Sequence, residues 1–174
     1  MGAHHGIDVM TRTMQTTHFA ATMKTPFAVL GIGTNGSAVT ALRYLPLSTP
    51  AQAPADRVAE KAVRELESYL EDPGYCFTVA LAPAGTPFRL RIWAALSAIP
   101  SGESRTYGDI ARAVGSAPRA VGQACGDNPV ALIIPCHRVT AAQGALGGFM
   151  HAAEGDPVAI KRWLLRHEGN RFGA

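Results

Sequence analysis

Cys136 and His137 stand side by side directly after a run of five apolar residues, 130–134, and a proline. A thiol is a weak nucleophile until it ionises, and a nearby imidazole or positive charge makes ionisation easier. The apolar run reads as a buried strand or extended segment ended by Pro135, because proline cannot donate to a ladder. Cys136, His137 and Arg138 then emerge at the end of a rigid buried element, a favourable place for reactive groups. Adjacent side chains of an extended segment point to opposite faces, so contact between Cys136 and His137 needs a turn or a bridging water. A histidine acting as base is usually oriented by a third group. Glu168, in Leu164-Leu165-Arg166-His167-Glu168-Gly169, is the candidate carboxylate, near the end of a helix expected over 158–167. Taken alone, a Cys-His pair also fits a buried cysteine beside a hydrogen-bonded histidine.

The elements that must position these groups fall into two halves. Residues 1–24 lack periodicity and read as a loose lead-in, with His4, His5 and His18 in a solvated tail. Residues 27–33 and 38–44 are apolar runs flanking Asn35-Gly36, the pattern of a β-hairpin with a type I′ turn. A Pro/Ala/Ser loop follows at 46–54. Residues 56–71 then place Val58, Ala62, Leu66 and Tyr69 on one face of a helix. Pro73-Gly74 ends that helix, and 76–81 reads as a third strand. A boundary is expected at 83–85, giving a structural α/β unit over 1–84 and a second unit over 86–174. Thr86-Pro87 opens a helix with a hydroxyl cap and a first-turn proline, and its stripe is Phe88, Ile92, Trp93, Leu96 and Ile99. Thr106 and Asp109 form a capping box for a short helix that ends at Gly115. Ser116 is placed to cap another, over 117–125. Two short helices joined by a tight turn suit a helix-turn-helix, and equally an αα-hairpin inside a core. The small residues Ala117, Ala120, Gly122 and Ala124 let the second helix approach a surface closely, either DNA or the protein's own core.

Bulk properties narrow the function classes without choosing one. The 174 residues are 47% hydrophobic and 17% charged, as in an ordinary globular protein. No apolar run approaches the roughly 18 residues that cross a membrane, and no secretory signal is visible. A cytoplasmic location, nucleoid-associated in a bacterium, is expected. Three cysteines without a CxxC pair argue against a disulfide framework or a structural zinc site. The net charge of +3 is uneven: from Thr86 onward ten Lys/Arg face six Asp/Glu, and before it six face seven. The second half is therefore the side that suits a polyanion.

Pro135-Cys136-His137-Arg138-Val139 resembles the active-site signature of the O6-alkylguanine-DNA alkyltransferases, the methylated-DNA–protein-cysteine methyltransferases. Thr106-Tyr107-Gly108-Asp109-Ile110-Ala111, Arg119-Ala120-Val121-Gly122-Gln123-Ala124, Asn128-Pro129 and Trp163-Leu164-Leu165-Arg166-His167-Glu168-Gly169 occur in the family's order and spacing. The similarity covers residues 86–173, and the first half is similar only loosely.

The resemblance implies a small ribonuclease-H-like α/β domain, with antiparallel sheet and helix, followed by a mostly helical winged helix-turn-helix domain. It implies a monomer that binds the minor groove of double-stranded DNA containing O6-alkylguanine and turns the damaged nucleotide out of the stack, as chemistry on a base requires. Cys136 would accept the alkyl group once and keep it as a thioether. His137 would serve as its base through a water, Glu168 would orient His137, and Asn128 would brace the turn before the active-site segment. Arg119 would fill the vacated space in the duplex, its planar cation suited to stacking. Tyr107 would sit by the 3′ phosphate and donate to the guanine. Ala120, Gly122 and Ala124 would keep the recognition helix thin, with Arg138 also on the DNA side. The carbonyls of Cys136 and Val139 would accept from the guanine amine. Phe149 and Met150 would form a pocket wall, and Cys125 its rim as a packing residue. No metal or organic cofactor is expected. The departures from the family pattern are Gly147-Gly148-Phe149-Met150-His151-Ala152-Ala153, where Phe149 lacks a hydroxyl and Met150 replaces a small residue, and a longer loop before Lys161. The O4 of thymine is a second possible donor atom. Three other readings lose ground on particular residues. A damage sensor of the same superfamily would lack Cys136, a cysteine hydrolase would need an oxyanion hole that no motif supplies, and a pure regulator would not need the thiol.

Overall fold

The computed structural model describes residues 18–151 and 156–170. Its first element lies in the stretch expected to be loose: Ala21–Lys24 forms strand β1. β2 (Val29–Thr34) and β3 (Val39–Leu45) are the expected hairpin, and the sheet runs β1-β2-β3, antiparallel throughout. Leu30, Ile32, Val39 and Leu42 all lie in the core. The hairpin connection is not type I′. Only Gly36 takes a positive φ, 88°, because the Asn35 carboxamide caps the turn instead, accepting from the N–H groups of Ser37 and Ala38 at 2.9 Å each.

Helix α1 (Arg57–Glu71) begins at Asp56, whose carboxylate accepts from Ala59 N–H, and buries Ala59, Ala62, Leu66 and Tyr69. It also buries Glu65, which explains why 76–81 is not a third strand. The Glu65 carboxylate takes the N–H groups of Thr78 and Val79 at 2.9 and 3.0 Å and the Thr78 hydroxyl at 2.5 Å. Donors that a ladder would need are spent on a helix side chain, and the segment meets β3 only at a Val39–Leu81 bridge.

In the second half, α2 (Pro87–Ser97) follows its Thr86 cap and buries Ile92, Trp93 and Leu96. A two-residue strand, β4 (Arg105–Thr106), pairs in parallel with β5 (Val139–Thr140). Helix α3 (Tyr107–Val114) has the full Thr106/Asp109 capping box and a left-handed Gly115 at its end. Ser116 does not cap the next helix, since its N–H closes α3 on the Ala111 carbonyl at 2.8 Å. The cap position of α4 (Pro118–Gly126) is Ala117, without a side-chain bond. Helix α5 (Asp156–His167) starts two residues earlier than expected.

The largest departure is at 130–134. The segment is a tight turn rather than a strand, with Leu132 at φ 69° and Ile134 N–H bonded back to the Val130 carbonyl. Asn128 builds it: its Oδ1 accepts from Val130 N–H at 3.0 Å while its Nδ2 donates to the Ile134 carbonyl at 2.8 Å. β3 clamps the outside, with Leu42 N–H on the Pro129 carbonyl and Ala131 N–H on the Leu42 carbonyl. An apolar run fits this turn because every residue of it is buried and the backbone groups are paired by Asn128 and β3.

Candidate active site

The turn delivers Cys136–Arg138 as a single 3₁₀ turn, with Cys136 2% exposed and His137 fully buried. His137 Nε2 lies 2.8 Å from Glu168 Oε1. A carboxylate can only accept, so Nε2 carries the proton and Nδ1 presents its lone pair as a base. Burial lowers the His137 pKa below its usual range, against the pull of Glu168, so the ring is neutral at pH 7. Burial pushes the Glu168 carboxyl up, but the bonds from His137 and Arg138 outweigh it and hold the group at about 2.

Arg138 is corrected by this geometry. Its Nε and Nη2 donate to Glu168 at 3.0 and 2.8 Å and its Nη1 to the Ile99 carbonyl at 2.6 Å. The guanidinium is engaged by the carboxylate and the Ile99 carbonyl rather than held free for a phosphate. A fourth donor to Glu168 comes from the other half of the chain: the Tyr69 hydroxyl donates to Oε1 at 2.9 Å.

The thiol is not ionised in the resting site. Burial raises it to about 11, partly offset by the Asn128 amide and the Lys161 ammonium. A thiol held there becomes a nucleophile only where a base takes its proton. Cys125 is buried, 6% exposed, and burial raises its thiol further still, which suits packing.

Cys136 forms the floor of a cavity of about 320 Å³, walled by Tyr107, Gly122, Cys125, Phe149, Met150 and His151. A larger groove of about 910 Å³, between β3 and α5, is lined by neither cysteine nor histidine. The smaller cavity is the one that gives onto both buried thiols. Tyr107 donates its hydroxyl to the Gly148 carbonyl at 3.2 Å, and burial raises its pKa, so it remains a donor. Gly122 leaves the Tyr107 ring at ordinary contact distance from where a Cβ would stand. Met150 and His151 both adopt left-handed backbone, φ 51° and 62°. His151 is fastened to Asp127 at 2.9 Å and lies over Gly126, where a Cβ would collide with its ring.

Arg119 is exposed on the first turn of α4 and Ala120 is half-buried behind it. Ala124 is corrected: at 2% exposure it faces the core, and its carbonyl accepts the Trp93 indole N–H at 2.9 Å. The smallness of that position serves α2 rather than an outer surface.

Lys161 is the residue that sequence reasoning missed. It is fully buried and its Nζ donates to the carbonyls of Val139, at 2.6 Å, and Gly148, at 2.9 Å. Burial lowers its pKa to about 8. The Val139 carbonyl thus already has a donor, which the expectation that it receives a guanine amine did not include. The signal was available, since Lys161 lies between Ile160 and the buried Leu164 and Leu165 on the inner face of α5.

Residues 87–170 match the family model described as 6-O-methylguanine DNA methyltransferase, DNA binding domain. A methylated-DNA–protein-cysteine methyltransferase of Mycobacterium tuberculosis is 40% identical over 159 residues, covering 88% of this chain and 93% of that protein. The chain belongs to the methylated-DNA–protein-cysteine methyltransferase family. A member of it from Methanosarcina acetivorans is 46% identical over 112 residues, covering 63% of this chain and 69% of the relative. The crystal structure of Mycobacterium tuberculosis OGT in complex with DNA superposes with a TM-score of 0.72 at 39% identity, covering 85% of this chain and 91% of that one. Its methyltransferase relatives share the three-stranded sheet with helices. No helix among the described residues is long and apolar enough to cross a membrane.

Proposed function

We propose that this protein reverses alkylation damage directly, moving an alkyl group from O6 of guanine in double-stranded DNA, and in principle from O4 of thymine, onto Cys136. The observation that carries the reading is the buried row Cys136, His137, Glu168 beneath a cavity open to α3 and α4. The Cys136 S–H proton passes through a water to His137 Nδ1, and the imidazolium is stabilised by Glu168. The sulfur attacks the alkyl carbon, an S–C bond forms, and the C–O6 bond breaks with its electron pair going to guanine. The leaving base takes up one proton, and the Tyr107 hydroxyl eases the charge that develops on it. A thioether is not hydrolysed there, so each chain acts once. Neither a metal nor an organic cofactor enters these steps.

Residues 86–174 supply the DNA-binding and acceptor unit, with α3 and α4 as a winged helix-turn-helix in the minor groove and β4–β5 as its small wing. The described part of residues 1–84 forms a ribonuclease-H-like unit behind it. Arg119 fills the duplex while the damaged base occupies the cavity, Ala120 and Gly122 allow α4 to come close, and Asn128 braces the turn. Phe149, Met150 and Cys125 line the pocket. The protein acts as a monomer.

Incubation with a duplex containing O6-methylguanine, followed by intact-mass measurement, tests the reading. One methyl group per chain is expected on Cys136 and none in Cys136→Ser; repeated turnover, or no gain in the wild type, would sink it. Arg119→Ala should slow repair of duplex by about tenfold or more while leaving reaction with free O6-benzylguanine nearly unchanged, the loss of one good anchor contact being worth roughly 1–3 kcal/mol. Equal losses with both substrates would take the finger role away from Arg119.

A further inference from the structure

Two buried side-chain polar atoms among the described residues have no hydrogen-bond partner in the protein: His137 Nδ1 and Tyr44 Oη. Buried polar groups are nearly always satisfied, so each such atom calls for an explanation. Tyr44 lies on β3, two residues beyond the Leu42 that clamps the turn leading to Cys136. Its ring packs 5.9 Å from Phe149, a wall of the reactive cavity, and 6.3 Å from Phe27. Besides burial, the groups that raise its phenol are Cys136, Tyr69 and Glu168. The hydroxyl is thus a buried, unpartnered donor whose ring packs on the Phe149 wall of the cavity that Cys136 lines.

The opposite end of His137 is also reached from the first half of the chain. Tyr69, on α1 and 1% exposed, donates to the Glu168 oxygen that meets His137 Nε2.

We propose that the N-terminal half takes part in alkyl transfer through two positioning residues, Tyr69 holding Glu168 at one end of His137 and Tyr44 holding, at the other, the water that joins Cys136 to His137 Nδ1. The inference rests on the alkyl-transfer reading above and adds a role for residues outside the acceptor unit. Hydrogen-bond bookkeeping supports the water. A buried water typically makes about three hydrogen bonds. Here it accepts from the Cys136 S–H and the Tyr44 O–H and donates to Nδ1. When the S–H bond breaks, the proton goes to the water and one of the water's protons goes to Nδ1. The Tyr44 donor stabilises the water oxygen during that exchange and fixes its direction. Tyr69 in turn shares the negative charge of Glu168, limiting how far that carboxylate raises the basicity of His137.

The test compares wild type, Tyr44→Phe, Tyr69→Phe, His137→Gln and Tyr44→Phe/His137→Gln. Single-turnover transfer is followed from an O6-methylguanine duplex and from free O6-benzylguanine, across pH 5–9. The charged and titratable groups around His137 are Glu168, Arg138, Lys161, Cys136, Tyr44 and Tyr69, and the substitutions change only the tyrosines and the histidine. Tyr44→Phe should lower the plateau rate about tenfold with both substrates, less than the 10²–10⁴-fold that loss of a general base brings, with DNA affinity unchanged. Tyr69→Phe should move the acid limb of the profile to higher pH, because a fuller charge on Glu168 holds the imidazolium more tightly. With His137 already replaced, Tyr44→Phe should cost nothing further. A purely structural role would lower the melting temperature without moving the limb or showing this coupling. Should Tyr69→Phe melt too low for kinetics, Tyr44→Phe carries the test, since its hydroxyl has no protein partner to lose. Tyrosine variants that match a transferring wild type at every pH, or full additivity in the double variant, overturn this inference alone. A wild type that transfers nothing instead overturns the repair reading.

Discussion

Glu168→Ala is expected to destabilise the protein by about 3–5 kcal/mol, the usual cost of removing one partner from a buried ionic group. The side chain is fully buried and its carboxylate accepts from Tyr69, His137 and Arg138. Alanine strands a guanidinium that is only 12% exposed, together with a buried imidazole N–H and a buried phenol. Single domains have roughly 5–15 kcal/mol in total, so urea denaturation should show a much lower midpoint at neutral pH. The sign of the pH dependence follows from the depressed carboxyl. Its stabilising contribution is complete above the unfolded value of about 4.3 and is lost as pH falls toward the folded value of about 2. The wild type should therefore lose stability steeply over that window, while Glu168→Ala lacks this component. An unfolding free energy within about 1 kcal/mol of wild type would mean that Arg138 and His137 find other partners.

His137→Gln should lower the rate of alkyl transfer about 10²–10⁴-fold while DNA affinity stays the same, because the ring is buried behind the thiol and touches no outer surface. The wild-type rate should stay flat as pH falls through 6.5, since burial keeps the ring neutral below its ordinary pKa, and should drop only beneath that. A stopped-flow profile with an acid limb above 6.5, or a glutamine variant within a few-fold of wild type, would show that something other than neutral His137 takes the proton. A thiol raised to about 11 leaves little thiolate at pH 7, so removing the base should be felt in full.

The helices were legible in the sequence where local chemistry decides them. Thr86-Pro87, the Thr106/Asp109 box and Gly115 each act within one turn of chain, and each is where it was expected. Cys136, His137 and Glu168 were legible as types, and their meeting needed the fold. The errors came from side chains that capture backbone groups outside their own element. Glu65 takes the donors of Thr78 and Val79 from thirteen and fourteen residues away, and Asn128 folds 130–134 into a turn that apolar content alone cannot distinguish from a strand. Arg138 carries the same charge whether it meets phosphate or Glu168, so its sequence could not choose between them. Lys161 was legible by its place with Ile160, Leu164 and Leu165 on the inner face of α5, but its task was not, because its two carbonyl partners lie outside that helix.

The grip of Leu42 on Pro129 and Ala131, with the Tyr69 bond to Glu168, ties the fates of the two halves together. A fragment severed at residue 85 would lose the outer brace of the turn and one ligand of its central acid in a single cut. It would also lay bare the apolar face that β3 covers. Shortening this chain to a minimal reagent that keeps only the groove-facing helices and the sulfur is thus the wrong economy, and the whole polypeptide should melt in one step.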